Sequence, residues 1–259
     1  MFVNSLLEDA ARQCIWIGME GYLFQYNPTT GEMKAIEVFH NNSIKSLALD
    51  GDENLLAGTD NGLYVYQNDK EPLQHIIHDS RNIQSLTNNI IWNIFSDQEH
   101  NIWLGTDYGI SLSRYNSALQ FVPISQITGT GDGNQFYSLF RDSKGFYWFG
   151  GTNGVIRFTH PAGNKHDAIW YRMGDKNYPL SHNRIRHIYE DREQQLWIAT
   201  DGSINRYDYN THQFVHYNIV DSTGTYNTNW AYYLFEDTDG KLWICLLYTS
   251  PSPRDGLLS

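Results

Sequence analysis

Residues 89–106 read NIIWNIFSDQEHNIWLGT, and this stretch decides the fold. An apolar run ends at Asp97, a short polar turn follows, and a second apolar run carries Trp103. Two short apolar runs that are bounded by turn residues predict a pair of antiparallel β-strands. Asp107-Tyr108-Gly109 comes next and predicts a tight turn, because glycine tolerates positive φ and aspartate can bond its own backbone.

Two further strands complete the unit, over residues 110–115 and around Phe121. The same four-strand pattern returns later in the chain. There it predicts strands over 185–191, 196–200, 204–207 and 214–217.

The unit recurs with a period of about 46 residues, which marks a repeat architecture. Each copy has an apolar anchor in its second strand and an aspartate six or seven residues earlier. The anchors are Trp16, Leu56, Trp103, Trp148, Trp197 and Trp243. The aspartates are Asp9, Asp50, Asp97, Asp142, Asp191 and Asp237. We expect the anchors to pack between neighbouring units as core residues.

The repeat predicts an all-β fold, because no segment shows the 3.6-residue period of a helix. One four-stranded sheet cannot bury both faces, and units of this size solve the problem by packing radially. We therefore predict a β-propeller of four-stranded antiparallel blades, with about five to six blades of an expected seven. The propeller should cover residues 1–244 and be incomplete.

The last 15 residues depart from the pattern. After Ile244 the repeat requires Gly-Thr, but the chain continues with Cys245 and soon reaches a Ser-Pro-Ser-Pro stretch. We expect residues 245–259 to be an off-pattern, non-native tail, and the chain to be a fragment.

Composition excludes several classes of function. Lys+Arg is 18 and Asp+Glu is 29, so the net charge is −11, which argues against a nucleic-acid partner. The 2 cysteines, Cys14 and Cys245, are too far apart in the sequence to form a disulfide framework or a CxxC metal site. No apolar run is long enough to span a membrane, and residues 1–14 do not resemble a signal peptide.

Catalytic and metal-binding patterns are missing from the sequence. No GxSxG elbow occurs, and residues 129–133 are glycine-rich but not followed by a helix, which favours a loop. The turn at 237–240 lacks the later ligands of a calcium loop. The pairs His75/His78 and His212/His216 lack an acidic or cysteine partner at ligand spacing. We expect no enzyme activity, no metal and no cofactor in this chain.

The pattern of residues 85–109, repeated at 180–200, resembles the two-component regulator propeller repeat. The resemblance implies the periplasmic sensor region of a hybrid histidine kinase of the Bacteroidota type. It also implies partners in the same receptor: a second propeller, a β-sandwich and a kinase, in a dimer. Many members sense oligosaccharides and switch on the matching degradation genes, and some similar propellers are attached to diguanylate cyclases.

When the repeats are aligned, each set of equivalent positions forms a column. Two columns vary in chemistry although the rest of the repeat is constant, and both lie at the start of the first strand. In propellers of this type that strand lines the channel, so we predict a ligand site at the channel mouth. Its residues are Lys45, Trp92, Tyr137, Arg184, Arg186, Trp230 and Tyr232. Aromatic faces and arginine suit a sugar. The same side chains could instead fill the channel or face an adjoining domain. A protein-interaction scaffold and a propeller lyase or lactonase remain as alternative functions.

Overall fold

A computed structural model describes residues 2–36, 42–67, 74–116, 121–123, 125, 134–159, 168–177, 179–220 and 230–246. Within these ranges 22 β-strands form six sheets, here called blades 1 to 6 in chain order. No helix in the described part of the chain is long and apolar enough to cross a membrane.

Blades 1 to 5 each have four strands in consecutive order, and blade 6 has two. Blade 1 consists of β1 (Val3–Asp9), β2 (Cys14–Met19), β3 (Leu23–Tyr26) and β4 (Met33–Ile36). Blade 2 consists of β5 (Ile44–Leu49), β6 (Leu55–Thr59), β7 (Gly62–Tyr66) and β8 (Gln74–Ile76). Blade 3 consists of β9 (Ile91–Ser96), β10 (Ile102–Thr106), β11 (Gly109–Ser113) and β12 (Phe121–Pro123).

The remaining strands follow the same order. Blade 4 consists of β13 (Phe136–Arg141), β14 (Tyr147–Gly151), β15 (Gly154–Phe158) and β16 (Ile169–Tyr171). Blade 5 consists of β17 (Ile185–Glu190), β18 (Leu196–Thr200), β19 (Ile204–Asp208) and β20 (Gln213–Tyr217). Blade 6 consists of β21 (Ala231–Glu236) and β22 (Leu242–Leu246).

These elements confirm the predicted fold class, a β-propeller of four-stranded antiparallel blades. The second strands of the two copies used for the prediction, β10 and β18, have the predicted bounds. The other predicted strands agree to within two residues at most ends.

The chain divides into two compact units, with residues 1–152 and 156–169 in unit 1 and residues 153–155 and 170–259 in unit 2. The division passes through β15 and β16. In unit 1 the first strands of successive blades contact one another, β1 with β5, β5 with β9 and β9 with β13. In unit 2, β17 contacts β21 in the same way. The first strands are therefore the edges at which successive blades of each unit meet.

The anchor and aspartate columns of the sequence are hydrogen-bonded pairs. In blade 3 the indole Nε1 of Trp103 donates to Oδ2 of Asp97 at 2.8 Å. The pairs of blades 1, 4, 5 and 6 have the same atoms at 2.6–2.9 Å; they are Trp16–Asp9, Trp148–Asp142, Trp197–Asp191 and Trp243–Asp237.

Most anchors pack as core residues, as predicted. Trp16, Trp103 and Trp148 are fully buried. Trp103 lies against Tyr147, Phe149 and Phe158 of blade 4, with ring centroids 5.0–5.8 Å apart. For Trp243 the expectation is wrong: its side chain is 59% exposed, because no described strand beyond β22 covers it.

Two predictions fall on segments with little or no described structure. The glycine-rich loop at 129–133 lies outside the described residues. Of the proposed tail, Cys245 and Leu246 are the last residues of β22, and residues 247–259 lie outside the described residues.

Candidate functional site

The second residue of the first strand is a β-bulge in every blade. In blade 3, Ile91 pairs with Thr106 and Asn93 with Gly105, so Trp92 between them has no partner in the ladder. The same register shift leaves out one residue in each of the other blades. Those residues are Asn4, Lys45, Tyr137, Arg186 and Tyr232.

In blades 2 to 6 the bulge residues form one of the two variable columns identified in the sequence. A bulge bends the strand and re-aims a side chain without disturbing the pairing beyond it. The chemically varied side chains are therefore the ones released from the ladder, whereas the residue before each of them in blades 2 to 6 is apolar and buried.

In unit 1, three predicted site residues come together as one cluster. The Nζ of Lys45 lies 4.4 Å from the ring centroid of Trp92. The rings of Trp92 and Tyr137 meet edge to face, with centroids 5.3 Å apart. These contacts join the bulges of blades 2, 3 and 4 into a continuous polar and aromatic surface.

Asp107 and Gln135 tie this cluster together. Oδ1 of Asp107 accepts hydrogen bonds from Nε1 of Trp92 at 3.0 Å and from Nε2 of Gln135 at 2.6 Å. The hydroxyl of Tyr137 donates to Oε1 of Gln135 at 2.5 Å. The aromatic rings are therefore held in place by a hydrogen-bonded frame before any ligand arrives.

In unit 2, an aspartate again organises the predicted residues. Asp201 accepts hydrogen bonds from the guanidinium of Arg186, with Nε at 2.6 Å and a terminal nitrogen at 3.0 Å. Nε of Arg184, whose side chain is 45% exposed, lies 3.9 Å from Oδ2 of Asp201, which also accepts from the terminal nitrogen of Arg186. The Arg186 guanidinium also lies over the Tyr232 ring, 5.3 Å from its centroid. Tyr232 is 50% exposed, and Trp230, which directly precedes β21, is 46% exposed.

Sequence reasoning missed Asp107, Asp201 and the bulge itself. A signal for the bulge was present, since each first strand has two apolar residues three positions apart. Ile91 and Ile94 are both buried on the same side, although an offset of three in a regular strand places residues on opposite faces. Only an inserted residue makes that spacing fit.

A second set of side chains links the first strands of successive blades. Oγ of Ser5 accepts from the backbone N–H of Leu47 at 3.1 Å, and Oγ of Ser46 accepts from that of Ile94 at 3.0 Å. In unit 2, Nδ1 of His187 accepts from the backbone N–H of Leu234 at 3.2 Å. Burial lowers the pKa of His187 from 6.5 to about 4, so the imidazole is a neutral acceptor at pH 7.

The predicted histidine pairs bind protein groups. His75 Nε2 meets the carbonyl of Asn61 at 2.6 Å, and His78 Nδ1 meets the carbonyl of Leu86. His212 lies in the turn before β20, where its Nδ1 meets the Tyr207 hydroxyl at 2.9 Å. His216 Nε2 meets the carbonyl of Pro179 at 3.0 Å. Among the residues that the structure describes, no group of three or more His, Cys, Asp and Glu side chains is placed to hold a metal ion.

Comparison with known proteins identifies the repeat. Segments 85–108, 130–153 and 179–202 match the family model described as "Two component regulator propeller". Histidine kinase P4 of Formosa agariphila is 23% identical over 238 residues, which cover 82% of this chain and 16% of that protein.

Two solved structures come from B. thetaiotaomicron, and each is described as the extracellular domain of a hybrid two component system. The BT4673 domain is 85% identical, with a TM-score of 0.47, over 95% of this chain and 33% of that one. The BT3049 domain is 23% identical, with a TM-score of 0.70, over 93% of this chain and 32% of that one. The chain thus spans about a third of these domains. The segments 85–108, 130–153 and 179–202 are two-component regulator propeller repeats.

Proposed function

We propose that this chain is a ligand-sensing propeller of an extracytoplasmic two-component receptor, and that its ligand is an oligosaccharide. One observation carries the proposal. The residue freed from the ladder by the bulge varies among lysine, tryptophan, tyrosine and arginine in blades 2 to 6, whereas the residue just before it is always apolar and buried.

The chemistry of the bulge residues favours a sugar. In unit 1, Trp92 and Tyr137 offer ring faces and edges against which the C–H surfaces of a pyranose can pack, Lys45 supplies a donor and Asp107 an acceptor for hydroxyl groups. In unit 2, Tyr232 and Arg186 offer the same combination of a ring and a donor. A small number of oriented polar groups among aromatic rings is typical of ligand sites.

The signalling step would be a shift between two receptor arrangements. A ligand shifts such an equilibrium only if it binds one arrangement more tightly than the other. In our proposal the second propeller, the β-sandwich and the kinase belong to the same dimeric receptor in the inner membrane, outside this chain. The kinase would then regulate transcription of polysaccharide-use genes.

A thermal-shift screen of the full chain against an oligosaccharide panel tests the proposal. A ligand that binds the native state alone raises the melting temperature in a concentration-dependent way. Trp92→Ala tests the cluster of unit 1, and Arg186→Ala tests that of unit 2. For a sugar that stabilises the protein, the variant in the cluster that binds it should weaken binding at least about tenfold. Met33→Ala is a control, because Met33 is exposed on β4, at the edge of blade 1 opposite the bulged strand β1.

Three results would contradict the proposal. One is that no sugar in the panel stabilises the protein. Another is that both alanine variants bind the sugar as tightly as the wild type. The third is turnover of a lactone or a lyase substrate, which would favour a catalytic propeller. Binding of a protein partner without any sugar response would favour an interaction scaffold.

A further inference from the structure

The interface between blades 2 and 3 lacks the aromatic packing of the interface between blades 3 and 4. At the latter, Trp103 in the second position of β10 faces Tyr147, Phe149 and Phe158. At the interface between blades 2 and 3, smaller residues occupy the equivalent positions of the strands. They are Leu56 for Trp103, Ile102 for Tyr147, Leu104 for Phe149 and Ser113 for Phe158.

A cavity of about 340 Å³ lies at this interface, within unit 1. Its buried wall contains Val65, Ile102 and Ser113, and its outer part contains Asp50, His100 and Tyr115. Ile102 and Ser113 occupy the strand positions that Tyr147 and Phe158 fill in blade 4. The cavity therefore lies where two aromatic side chains of the next interface are missing.

Asp50 keeps the geometry of an anchor-binding aspartate although the anchor is leucine. Its Oδ1 accepts the backbone N–H groups of Asp52 and Asn54 at 2.9 and 2.8 Å, as Oδ1 of Asp97 does in the next blade. Its Oδ2 accepts from Nδ2 of Asn54 at 2.8 Å. In the other blades Oδ2 also receives the indole N–H, which Leu56 cannot supply.

We propose that this cavity binds a small planar heteroaromatic molecule of the indole type, whose ring N–H donates to Oδ2 of Asp50. The ligand would restore both features that the Leu56 copy lacks, the flat ring and the charge-assisted hydrogen bond. A cavity of about 150 Å³ is enough for benzene, so 340 Å³ has room for a fused bicyclic ring.

The entrance to the cavity has flat side chains that suit such a ring. The rings of His100 and Tyr115 lie 5.3 Å apart. Both pack against Gly51, where an added Cβ would come within 3 Å of either side chain. The Tyr115 hydroxyl contacts Asp52 at 3.4 Å, which helps to hold the ring over the rim.

Titration of the full chain with indole, followed by calorimetry and by amide NMR, tests the proposal. Saturable binding is expected, with shifts at residues around Asp50 and Ser113. Benzofuran has nearly the same shape and no N–H, so it should bind about tenfold more weakly, since a hydrogen bond to a carboxylate is lost.

Two filling variants complete the test, one from each wall. Leu56→Trp supplies the missing ring and N–H, and Ser113→Phe fills the space from blade 3; either should abolish indole binding. Lys34→Ala, an exposed change on β4, should leave it unchanged. If Leu56→Trp does not fold, the loss or retention of indole binding by Ser113→Phe tests the proposal.

The proposal is overturned if indole shows no saturable binding, or if a folded filling variant binds it as well as the wild type. Equal affinity for indole and benzofuran would overturn the role of Asp50.

Discussion

At the residue scale, the aspartate before each anchor acts as a hydrogen-bond centre. One oxygen of Asp97 accepts from three donors: Nδ2 of Asn101 at 3.0 Å, Nε1 of Trp103 at 2.8 Å and the hydroxyl of Tyr147 at 3.0 Å. The Tyr147 bond comes from the next blade. Burial and the nearby Asp97 carboxylate raise the pKa of Tyr147, so its hydroxyl stays protonated and remains a donor.

Trp103→Phe should lower the free energy of unfolding by about 2 kcal/mol, because it removes one hydrogen bond to a buried carboxylate and keeps most of the ring packing. Trp103→Ala should cost about 3–5 kcal/mol, since it also leaves a cavity. Urea unfolding followed by circular dichroism measures both. A Phe variant as stable as the wild type would show that the indole N–H contributes nothing.

His187 should make stability depend on pH between about 6.5 and about 4. Its folded pKa of about 4 lies below the ordinary 6.5, so the unfolded chain takes up a proton first as the pH falls. The free energy of unfolding therefore decreases as the pH falls through this range, and the contribution is fully present above about pH 6.5.

His187→Gln is the control for this effect, because glutamine keeps an acceptor for the Leu234 N–H but does not titrate. Urea midpoints at several pH values should fall less steeply in the variant than in the wild type. Parallel pH profiles for the two proteins would contradict the role given to His187.

At the element scale, the turn between second and third strands joins each blade to the next. The N–H of Gly62 donates to the carbonyl of Asn89, at 2.7 Å. Gly109 bonds Asn134 and Gly154 bonds Asn183 in the same way. Asn89, Asn134 and Asn183 form one column of the repeat, two residues before the first strand. The Asn89 side chain also accepts from the N–H of His78, which follows the last strand of the preceding blade. The column ties blades together because the start of a first strand lies beside the end of the preceding blade.

Gly62→Ala should destabilise the protein by about 2–4 kcal/mol. Gly62 has a φ of 97°, and an added Cβ would lie 2.3 Å from the carbonyl oxygen of Ile76, so strain and a backbone clash combine. Gly31→Ala is the matched control. Its φ of 75° is also positive but the space around it is open, so the cost should be about 1 kcal/mol. Equal losses in the two variants, measured by urea unfolding, would show that the clash is relieved at no cost.

At the scale of the whole molecule, the net charge of −11 sets what the surface can bind. A protein with this charge repels the phosphate backbone of nucleic acids. We expect no binding to duplex DNA or RNA in 0.15 M salt by fluorescence anisotropy. As a positive comparison, an anion-exchange resin should retain the protein at pH 7. Affinity for DNA that weakens with added salt would contradict this expectation.

The repeat, the strand pattern and the anchor columns were predictable from the amino-acid sequence, because they follow from the local spacing of apolar and turn residues. The strands β10 and β18 illustrate this, as does the pairing of aspartate and tryptophan columns, which proved to be hydrogen-bonded. Part of the candidate site was also predictable, since variation within a fixed frame marked Lys45, Trp92 and Tyr137 as a group.

The arrangement of those side chains depends on contacts between strands and blades that the sequence pattern does not contain. The bulge that frees Trp92 depends on pairing with β10, and the frame built by Asp107 and Gln135 joins residues 28 positions apart. The cavity between blades 2 and 3 likewise requires the two blades to face each other, because its walls come from both of them. Such features arise from contacts between repeats, and a linear pattern records only what each repeat contains.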